Sequence, residues 1–434
     1  MSLKGEVCLP GDKSIAHRAI ILGALAQGKT TIENFPLNKD CNFTMQAFKK
    51  LGVKITVKKN IVNVFGRGLS GLRKPDGDIF VGDSGTTFRL LLGVLAGQGF
   101  TAKLVADRAL SKRPMLRITA PLRLMGADIS ARRRITKYGR RDEYPPVTIK
   151  GGSLKAITYK LPVASAQVKS AILLAGLLAK GKTKVIEPVK TRDHSERMLR
   201  LFKADIRVSK NTITIKGGKK LTSPGNIYVP GDISSAAFFM VAAAIIPGSR
   251  VVIKKVSLNP SRLGIIKVLG RMSADIKIKT YTVRRNPKAE PYGDIIVKAS
   301  NLKATLVTRN EIPSLIDELP ILMVAAALAK GRTTFQGVGE LRVKETDRIK
   351  SMTENLQKMG AEIKIERKGN FENVIVKGSA SLKGNSVKSY GDHRTAMSMA
   401  IAGLRAEGKT KIDNVSCVGK SFPDFFRILN SLKW

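Results

Sequence analysis

The chain contains 434 residues, of which 43% are hydrophobic and 25% are charged. This length and composition exclude collagen-like, disordered and disulfide-stapled mini-proteins, and they predict a globular protein of two or three domains. Lys and Arg together number 77 against 33 for Asp and Glu, a net charge of +44. A chain this basic attracts anions, either small metabolites or polyanions such as nucleic acid.

Three features bear on location and metal binding. The first twelve residues lack the apolar core of a secretory leader. The longest uncharged apolar run, Ala236–Pro247, is shorter than the roughly 18 to 20 residues that a membrane span needs. The 3 cysteines include no CxxC pair and the 3 histidines are far apart in the sequence, which argues against a disulfide framework and a metal site. We therefore expect a cytoplasmic protein without a metal ion.

A sixfold repeat runs through the chain. In each copy an Ala/Leu-rich helical stretch leads into a glycine and then into a β-branched strand, at intervals of roughly 67 to 83 residues. A second amphipathic helix follows, and then an alternating strand such as Ala361–Ile365. Each copy predicts a β-α-β-α-β-β module, and the sixth copy stops at its helix because the chain ends. The repeat glycines are Gly28, Gly99, Gly181, Gly248, Gly331 and Gly408.

Two Pro-Gly-Asp tripeptides divide the repeats into halves. Pro10–Asp12 and Pro230–Asp232 are turn signals just before predicted helices. Three repeat glycines fall in each half. The sequence therefore predicts a mixed α/β fold with two domains of three modules each, the first spanning residues 12–231 and the second spanning residues 1–11 plus 232–434.

The P-loop pattern G-x-x-x-x-G-K-T occurs at residues 23–30, 176–183 and 403–410. A P-loop needs a strand before its glycines and a helix after them, so that amides at the helix N-terminus face the phosphates. Here a helix precedes each glycine and a strand follows. We interpret these glycines as helix C-caps and not as nucleotide sites.

Six segments place cations beside small residues, in loops or at helix starts. Backbone amides and cations at a helix N-terminus suit an oxyanion, although each segment alone also fits a capped helix or a solvated basic loop. In the fourth segment Lys344 and Arg348 are predicted to share a helix face, and Glu345 between cations could hold a proton. In chain order the segments are Gly11–Arg18, Gly82–Arg89, Asp107–Pro114, Arg342–Arg348, Tyr390–Arg394 and Lys420–Asp424.

Together these segments resemble the enolpyruvyl transferases, and within that family the members that act on shikimate 3-phosphate. The motifs are PGDKSIAHRA, GDSGTTFR, KRPM, LRVKETDR, YGDHRTAM and KSFPDFF, and the resemblance runs from Pro10 to Pro423. The resemblance implies two three-module domains with the active site in the cleft between them. It implies transfer of the enolpyruvyl group of phosphoenolpyruvate to the 5-hydroxyl of shikimate 3-phosphate in aromatic amino-acid biosynthesis. Phosphate leaves from a tetrahedral intermediate, and no metal or organic cofactor is needed.

The resemblance also implies a set of site residues. Asp317 would be the base at the 5-hydroxyl, Glu345 the acid and base at C3, and Lys13 a cation spanning both substrates, with His393 orienting groups near the site. The implied shikimate 3-phosphate contacts are Lys13, Ser14, Arg18, Ser165, Ala166, Gln167, Thr191, Asp317 and Lys344. The implied phosphoenolpyruvate contacts are Lys13, Gly85, Arg113, Gln167, Arg348, Arg394 and Lys420.

Four positions depart from the pattern expected of this family. Asp83 stands where Asn is expected and brings a negative charge near a phosphate. Ala166 lacks the hydroxyl of a serine, His194 stands where some members have Tyr, and Glu340 stands where some have Asn. These departures bear on substrate affinity more than on the type of reaction.

Three alternatives compete with this interpretation. The sister enzyme that acts on UDP-N-acetylglucosamine usually carries a cysteine in the loop corresponding to Asp107–Pro114, and this chain has none there. A nucleic-acid-binding protein on the same scaffold would account for the charge, but aromatic residues are only 5% and no RNP-type spacing occurs. A catalytically silent relative conflicts with the intact catalytic set. We expect a monomer that binds the two small substrates, and neither a membrane nor nucleic acid.

Overall fold

The computed structural model describes residues 1–136, 139, 141–281, 289–369, 371–378 and 381–434. They form two compact units. Unit A consists of Gly11–Val229 with Ala289 and Glu290, and unit B consists of residues 1–10, 230–281 and 291–434. The chain leaves unit B after Pro10 and returns to it at Pro230, so these two crossings lie at the Pro-Gly-Asp turns.

The described residues form thirteen α-helices and four short 3-10 helices. The α-helices are α1 (Lys13–Leu25), α2 (Lys39–Lys50), α3 (Gly85–Leu95), α4 (Leu116–Leu124), α5 (Ala166–Gly176), α6 (His194–Leu201), α7 (Ile233–Ile245), α8 (Gly264–Arg271), α9 (Ile312–Leu315), α10 (Leu319–Ala327), α11 (Arg348–Lys358), α12 (His393–Arg405) and α13 (Phe425–Ser431). The 3-10 helices are Leu110–Lys112, Pro260–Arg262, Gly339–Val343 and Ser416–Lys420.

The strands up to the return into unit B are β1 (Lys4–Cys8), β2 (Ala26–Gln27), β3 (Lys29–Glu33), β4 (Lys54–Lys58), β5 (Ile61–Phe65), β6 (Ile79–Phe80), β7 (Thr101–Val105), β8 (Asp128–Ile135), β9 (Arg141–Lys150), β10 (Leu154–Lys155), β11 (Thr158–Lys160), β12 (Ala179–Lys180), β13 (Lys182–Ile186), β14 (Asp205–Ser209), β15 (Thr212–Lys216), β16 (Leu221–Thr222) and β17 (Asn226–Tyr228). The later strands are β18 (Arg250–Ser257), β19 (Asp275–Tyr281), β20 (Tyr292–Lys298), β21 (Leu306–Val307), β22 (Arg332–Phe335), β23 (Glu362–Lys368), β24 (Phe371–Lys377), β25 (Leu382–Lys383), β26 (Ser386–Val387), β27 (Ala406–Glu407) and β28 (Lys411–Ile412).

Unit A contains three four-stranded sheets, ordered β17-β3-β5-β4, β6-β7-β9-β8 and β11-β13-β15-β14. In each sheet the first two strands are parallel and the last two join as antiparallel neighbours. A parallel pair requires a crossover connection, which a helix supplies, whereas an antiparallel pair needs only a turn. This is the predicted β-α-β-α-β-β module, although the first sheet takes its parallel edge strand from the end of the unit.

Unit B repeats the same sheet pattern twice, as β1-β18-β20-β19 and β21-β22-β24-β23. A third module begins with the parallel pair β26-β28 around α12 and stops at α13, where the chain ends. The prediction of a mixed α/β fold built from six modules, the last one cut short, is confirmed.

Each unit has its own apolar core built around helices that are buried on nearly all sides. In unit A, α3 packs against α5 so closely that a Cβ on Gly93 would lie 2.3 Å from the Ala171 carbonyl oxygen. In unit B, α7 and α10 carry no charged residue and are almost fully buried. A helix that is apolar on all of its faces is typically buried at the centre of a domain. Among the described residues, no helix is both long enough and apolar enough to cross a bilayer.

The repeat glycines do not cap helices as predicted. Helix α1 ends at Leu25, and the next residue, Ala26, is already extended and begins β2. Gly28 follows with φ 93°, between β2 and β3, so it turns the chain between two short strands. The Ala24 carbonyl at the end of α1 accepts from the Arg67 N–H at 2.9 Å, a bond of the kind that a C-cap would otherwise make. The order of helix before glycine and strand after it is confirmed, and it excludes P-loop geometry.

Candidate active site

The start of α1 fixes the first predicted anion-binding segment. The Asp12 carboxylate accepts hydrogen bonds from the backbone N–H of Ser14 at 2.7 Å and of Ile15 at 3.1 Å. This cap places Lys13 as the first helical residue, where the helix dipole adds to its positive potential. The half-buried Lys13 Nζ lies 2.7 Å from the Asp40 carboxylate.

One turn further along α1, the buried Arg18 guanidinium is held by neutral groups. Its Nε donates to the Ser195 hydroxyl at 2.7 Å, one terminal nitrogen donates to the Ser170 hydroxyl at 2.7 Å, and the other donates to the Ser14 carbonyl at 2.9 Å. Among the described residues, no carboxylate forms an ion pair with it. Burial lowers the pKa of Arg18 to about 10, which leaves it charged at neutral pH. A buried cation with only neutral partners suits an anionic ligand.

A second cationic group in unit A forms around the start of α3. The fully buried Arg89 donates to the Gln167 side-chain oxygen at 2.8 Å, and the Gln167 amide donates to the Thr86 hydroxyl at 3.1 Å. A Cβ on Gly85 would lie 2.9 Å from a terminal nitrogen of Arg113 and 2.9 Å from one of Arg89. The structure therefore brings Gly85, Arg113 and Gln167 together.

The remaining predicted residues of unit A lie near the ends of α5 and α6. Ser165 caps α5 by accepting from the Val168 N–H, and Ala166 is the first helical residue. The Ala166 carbonyl accepts from the Ser170 hydroxyl, which joins it to the hydroxyls around Arg18. The Thr191 N–H and hydroxyl both donate to the buried Glu187 carboxylate.

In unit B a single guanidinium gathers three carboxylates. Arg348, the first residue of α11, is 1% exposed. Its Nε donates to Asp392 at 2.8 Å, and its terminal nitrogens donate to Asp317 at 3.3 Å and to Glu345 at 2.5 Å. These carboxylates raise the pKa of Arg348 against the opposing effect of burial. The two predicted catalytic carboxylates, Asp317 and Glu345, thus share one cation.

The start of α12 brings further predicted residues to this group. Asp392 caps the helix by accepting from the Arg394 N–H at 2.8 Å and from the Thr395 N–H at 3.4 Å. The Arg394 guanidinium donates to the Asp317 carbonyl at 3.1 Å, and His393 is buried beside it. Lys420 is half-buried at the end of a 3-10 helix.

The prediction that Lys344 and Arg348 share a helix face is wrong. Lys344 is the extended residue that follows the 3-10 helix Gly339–Val343, and α11 begins only at Arg348. Asp347 ends the intervening turn by accepting from the Lys350 N–H, so the spacing of four residues does not lie within a helix. Burial lowers the pKa of Lys344 to about 8, although Asp317 and Glu340 act to raise it.

Comparison with known proteins agrees with these motifs. The model of the family described as EPSP synthase (3-phosphoshikimate 1-carboxyvinyltransferase) matches residues 1–429. The chain belongs to this family. It is 48% identical over 432 residues to the 3-phosphoshikimate 1-carboxyvinyltransferase of Bacillus cereus (strain B4264), covering 99% of this chain and 97% of that one. It is 46% identical over 431 residues to that of Bacillus cytotoxicus, covering 99% and 98%.

A solved structure of an EPSP synthase from Acinetobacter baumannii has the same fold. It superposes with a TM-score of 0.85 at 44% identity, covering 99% of this chain and 96% of that one. Membership of the EPSP synthase family confirms the resemblance predicted from the six motifs. It does not favour the UDP-sugar enzyme or the nucleic-acid-binding alternative.

Three of the four departures from the expected EPSP synthase pattern have distinct surroundings. His194 is fully buried, and its Nδ1 lies 2.7 Å from the Glu290 carboxylate. Asp83 lies in the turn before α3, and Glu340 lies in the 3-10 helix before Lys344. Glu340 acts electrostatically on Lys344, so this departure bears on a residue expected to contact substrate.

The implied set of site residues lacks several residues that hold the predicted ones in place. Arg89 lies in the second predicted segment without being among the implied contacts, and it carried a signal, because it is a lone cation in the otherwise apolar helix α3, and such a charge has to be paired when buried. Ser170 and Ser195 carried none, since their hydroxyls meet Arg18 only after the chain has folded. Asp40 carried none either, because its contact with Lys13 joins two different helices.

Proposed function

We propose that the cationic residues described above bind shikimate 3-phosphate and phosphoenolpyruvate for the enolpyruvyl transfer of the EPSP synthase family. The 5-hydroxyl oxygen bonds to C2 of phosphoenolpyruvate while C3 gains a proton. The tetrahedral intermediate then loses phosphate from C2 and a proton from C3, which gives 5-enolpyruvylshikimate 3-phosphate. The observation that carries this proposal is the arrangement around Arg348, where two carboxylates suited to proton transfer share a cation.

The proposed contacts of shikimate 3-phosphate include two cations suited to its anionic groups. The Arg18 guanidinium, free of carboxylate ion pairs among the described residues, suits the phosphate, since Arg can grip an oxyanion with two parallel hydrogen bonds. Lys344 keeps its charge up to a pH of about 8 and adds a second cation. The full proposed set is Lys13, Ser14, Arg18, Ser165, Ala166, Gln167, Thr191, Asp317 and Lys344.

Phosphoenolpyruvate carries a carboxylate and a phosphate, so its proposed contacts are mostly cations. Arg113 beside Gly85 can reach an oxyanion close to the backbone, because glycine leaves the space that a Cβ would fill. Arg348 and Arg394 provide planar donors in unit B. The full proposed set is Lys13, Gly85, Arg113, Gln167, Arg348, Arg394 and Lys420.

The two catalytic carboxylates are proposed to act in different steps. Asp317 accepts the proton of the 5-hydroxyl, and Glu345 delivers a proton to C3 and later removes one. In the structure Arg348 contacts both, which favours their ionised forms. A substrate carboxylate or phosphate that takes donors of Arg348 would weaken its contact with Glu345 and let Glu345 hold a proton. Lys13 stabilises the charge that develops between the substrates, and His393 orients the neighbouring groups.

Phosphate release from phosphoenolpyruvate tests this function. We expect release by the wild-type protein only when shikimate 3-phosphate is present, and a fall of about 10²- to 10⁴-fold in Glu345→Gln, the usual size of a general acid–base contribution. Glu362→Gln, at an exposed position on β23, is the matched control and should keep full activity. No release with both substrates, or full activity in Glu345→Gln, would contradict the proposal.

The chain is proposed to act as a monomer in the cytoplasm. Sedimentation velocity across a hundredfold range of protein concentration tests the first point, and a concentration-dependent shift to a larger species would contradict it. Fractionation of the source cells tests the second.

A further inference from the structure

Unit A contains a buried charged cluster that none of the proposed substrate contacts includes. Lys169 lies on the apolar helix α5 and is fully buried. Its Nζ lies 3.1 Å from the Glu187 carboxylate and 2.7 Å from the Glu196 carboxylate, both of which are themselves buried. Burying three ionised groups is costly, and packing alone would be served at least as well by apolar side chains. The position of the cluster is therefore informative.

The first arm of the cluster reaches Thr191. Glu187 follows β13 directly, and one of its oxygens accepts both the backbone N–H of Thr191, at 3.1 Å, and the Thr191 hydroxyl. The same oxygen contacts Lys169. Since both donors of Thr191 are committed to Glu187, the placement of Thr191 depends on that carboxylate and on the lysine that fixes it.

The second arm reaches Arg18. Glu196 and Ser195 are neighbours on α6, and Lys169 and Ser170 are neighbours on α5. The Ser170 and Ser195 hydroxyls lie 2.7 Å apart, and both accept from the Arg18 guanidinium. The Lys169–Glu196 ion pair thus ties α5 to α6 one residue away from the pair of serines that orients Arg18.

The charges in the cluster do not balance, because two carboxylates surround one ammonium group. Burial and the nearby Glu187 raise the pKa of Glu196, and Lys169 opposes this. The second carboxylate oxygen of Glu196 has no hydrogen-bond partner among the described residues. Lys169 is thus the group that allows both carboxylates to remain close to each other.

We infer that the Lys169–Glu187–Glu196 cluster positions Thr191 and Arg18 for shikimate 3-phosphate, an inference that rests on the proposed function. None of its members contacts the substrate in the proposed site. Lys169 holds Glu187 and Glu196 at fixed places, Glu187 sets Thr191, and Glu196 sets the serines that hold Arg18. Loss of the cluster should weaken shikimate 3-phosphate binding selectively, because Thr191 and Arg18 belong to that set and not to the phosphoenolpyruvate set.

The test is steady-state kinetics of two variants, with calorimetric titration of shikimate 3-phosphate. In Lys169→Met we expect the KM for shikimate 3-phosphate to rise about tenfold or more. This is the effect of losing one charge-assisted hydrogen bond between the protein and the substrate. The KM for phosphoenolpyruvate and kcat should stay within about threefold. The double variant Lys169→Met/Glu196→Gln removes one positive and one negative charge, so it keeps the net charge of the cluster. It should fold and show the same selective rise from lost geometry alone.

The matched control is Glu143→Gln. Glu143 is also a buried carboxylate of unit A, and it accepts from the Thr119 hydroxyl and pairs with Arg123, outside the proposed site. The Glu143→Gln substitution should lower the melting temperature without changing the KM for shikimate 3-phosphate.

Each outcome separates the inference from the proposed function. If the wild type forms no product from the two substrates, the proposed function fails whatever Lys169 does. If the wild type is active and the two variants keep its KM for shikimate 3-phosphate, the inference alone is wrong. A double variant that does not fold, or a KM that rises equally for both substrates, would assign the cluster to stability and overturn the inference.

Discussion

Arg18 in unit A and Arg348 in unit B are both almost fully buried, yet their partners differ in kind. Arg18 donates to two hydroxyls and a carbonyl, and burial lowers its pKa to about 10. Arg348 donates to three carboxylates, which raise its pKa. The charge of Arg18 is left for a ligand to neutralise, whereas that of Arg348 is already compensated by carboxylates, with which a bound phosphoenolpyruvate would have to share it.

This difference indicates a division of labour between the two cations. A guanidinium bound only by neutral groups can meet an incoming phosphate without first giving up an ion pair. A guanidinium bound by carboxylates fixes the geometry of the groups that move protons. Removing the guanidinium is costly, because those carboxylates then lack their positive partner. Substituting Arg348 should therefore cost much more stability than substituting Arg18, although both substitutions should impair the reaction.

The largest effect is expected for Arg348→Met. The substitution leaves Asp317, Glu345 and Asp392 close together without their shared cation, which should cost about 3–5 kcal/mol, about 10 °C in the melting transition of unit B. Phosphate release should fall at least a hundredfold. Thermal unfolding and the phosphate assay measure both. Lys350→Met, an exposed site on the same helix, is the control, and a melting shift no larger than that of the control would contradict the interpretation.

Arg18→Met should weaken binding strongly but stability only slightly. The Ser170 and Ser195 hydroxyls left behind already lie 2.7 Å apart and can pair with each other, so the cost to folding should be about 1 kcal/mol. The KM for shikimate 3-phosphate should rise roughly 10- to 100-fold, as for a lost hydrogen bond to a charged group. If Arg18→Met lowers the melting temperature as much as Arg348→Met does, the comparison is wrong.

The lowered pKa of Lys344 leads us to expect that binding of shikimate 3-phosphate depends on pH. Its pKa is lowered by burial from the ordinary 10.5 to about 8, so it loses its charge as the pH rises through 8. The KM for shikimate 3-phosphate should increase over that range, and Lys344→Met should bind weakly at every pH from 6.5 to 9. A flat profile in the wild type would argue against this role.

The effect of the same group on folding has the opposite sign. Between pH 8 and 10.5 the unfolded chain binds more protons at Lys344 than the folded chain does, so its contribution to stability improves as the pH rises. Melting temperatures of the substrate-free wild type and of Lys344→Met, compared across pH 7 to 10, should therefore converge at the alkaline end.

The smallest effect is expected for Gly85→Ala. The added Cβ would lie 2.9 Å from terminal nitrogens of Arg89 and Arg113, which are flexible enough to shift. We expect the KM for phosphoenolpyruvate to rise roughly five- to tenfold and that for shikimate 3-phosphate to stay unchanged. Gly152→Ala, with no atom within 4 Å of the new Cβ, is the control. An unchanged KM for phosphoenolpyruvate would show that Arg113 does not need that space.

Local sequence signals predicted several parts of the site. The Pro-Gly-Asp and Gly-Asp-His patterns predicted helix starts, and Asp12 and Asp392 indeed cap α1 and α12. The spacing of Lys344 and Arg348 predicted a shared helix face, and this was wrong. Lys344 follows a 3-10 helix, and a turn separates it from Arg348 at the start of α11. Hydrogen bonds within such a turn depend on side chains, here Asp347, that a spacing rule does not consider.

The amino-acid sequence by itself determined the repeating α/β modules, because alternating and helical hydrophobic periods are local properties that specify which face of each element is buried. It also determined which residues carry the charges and which family the chain belongs to. Only the tertiary structure decided how those charges are partnered. Arg18 meets serines 152 and 177 residues away, and Arg348 meets aspartates 31 and 44 residues away. Such pairs form when helices distant in the sequence pack together. The packed core therefore decides whether a buried cation has neutral partners or carboxylate partners.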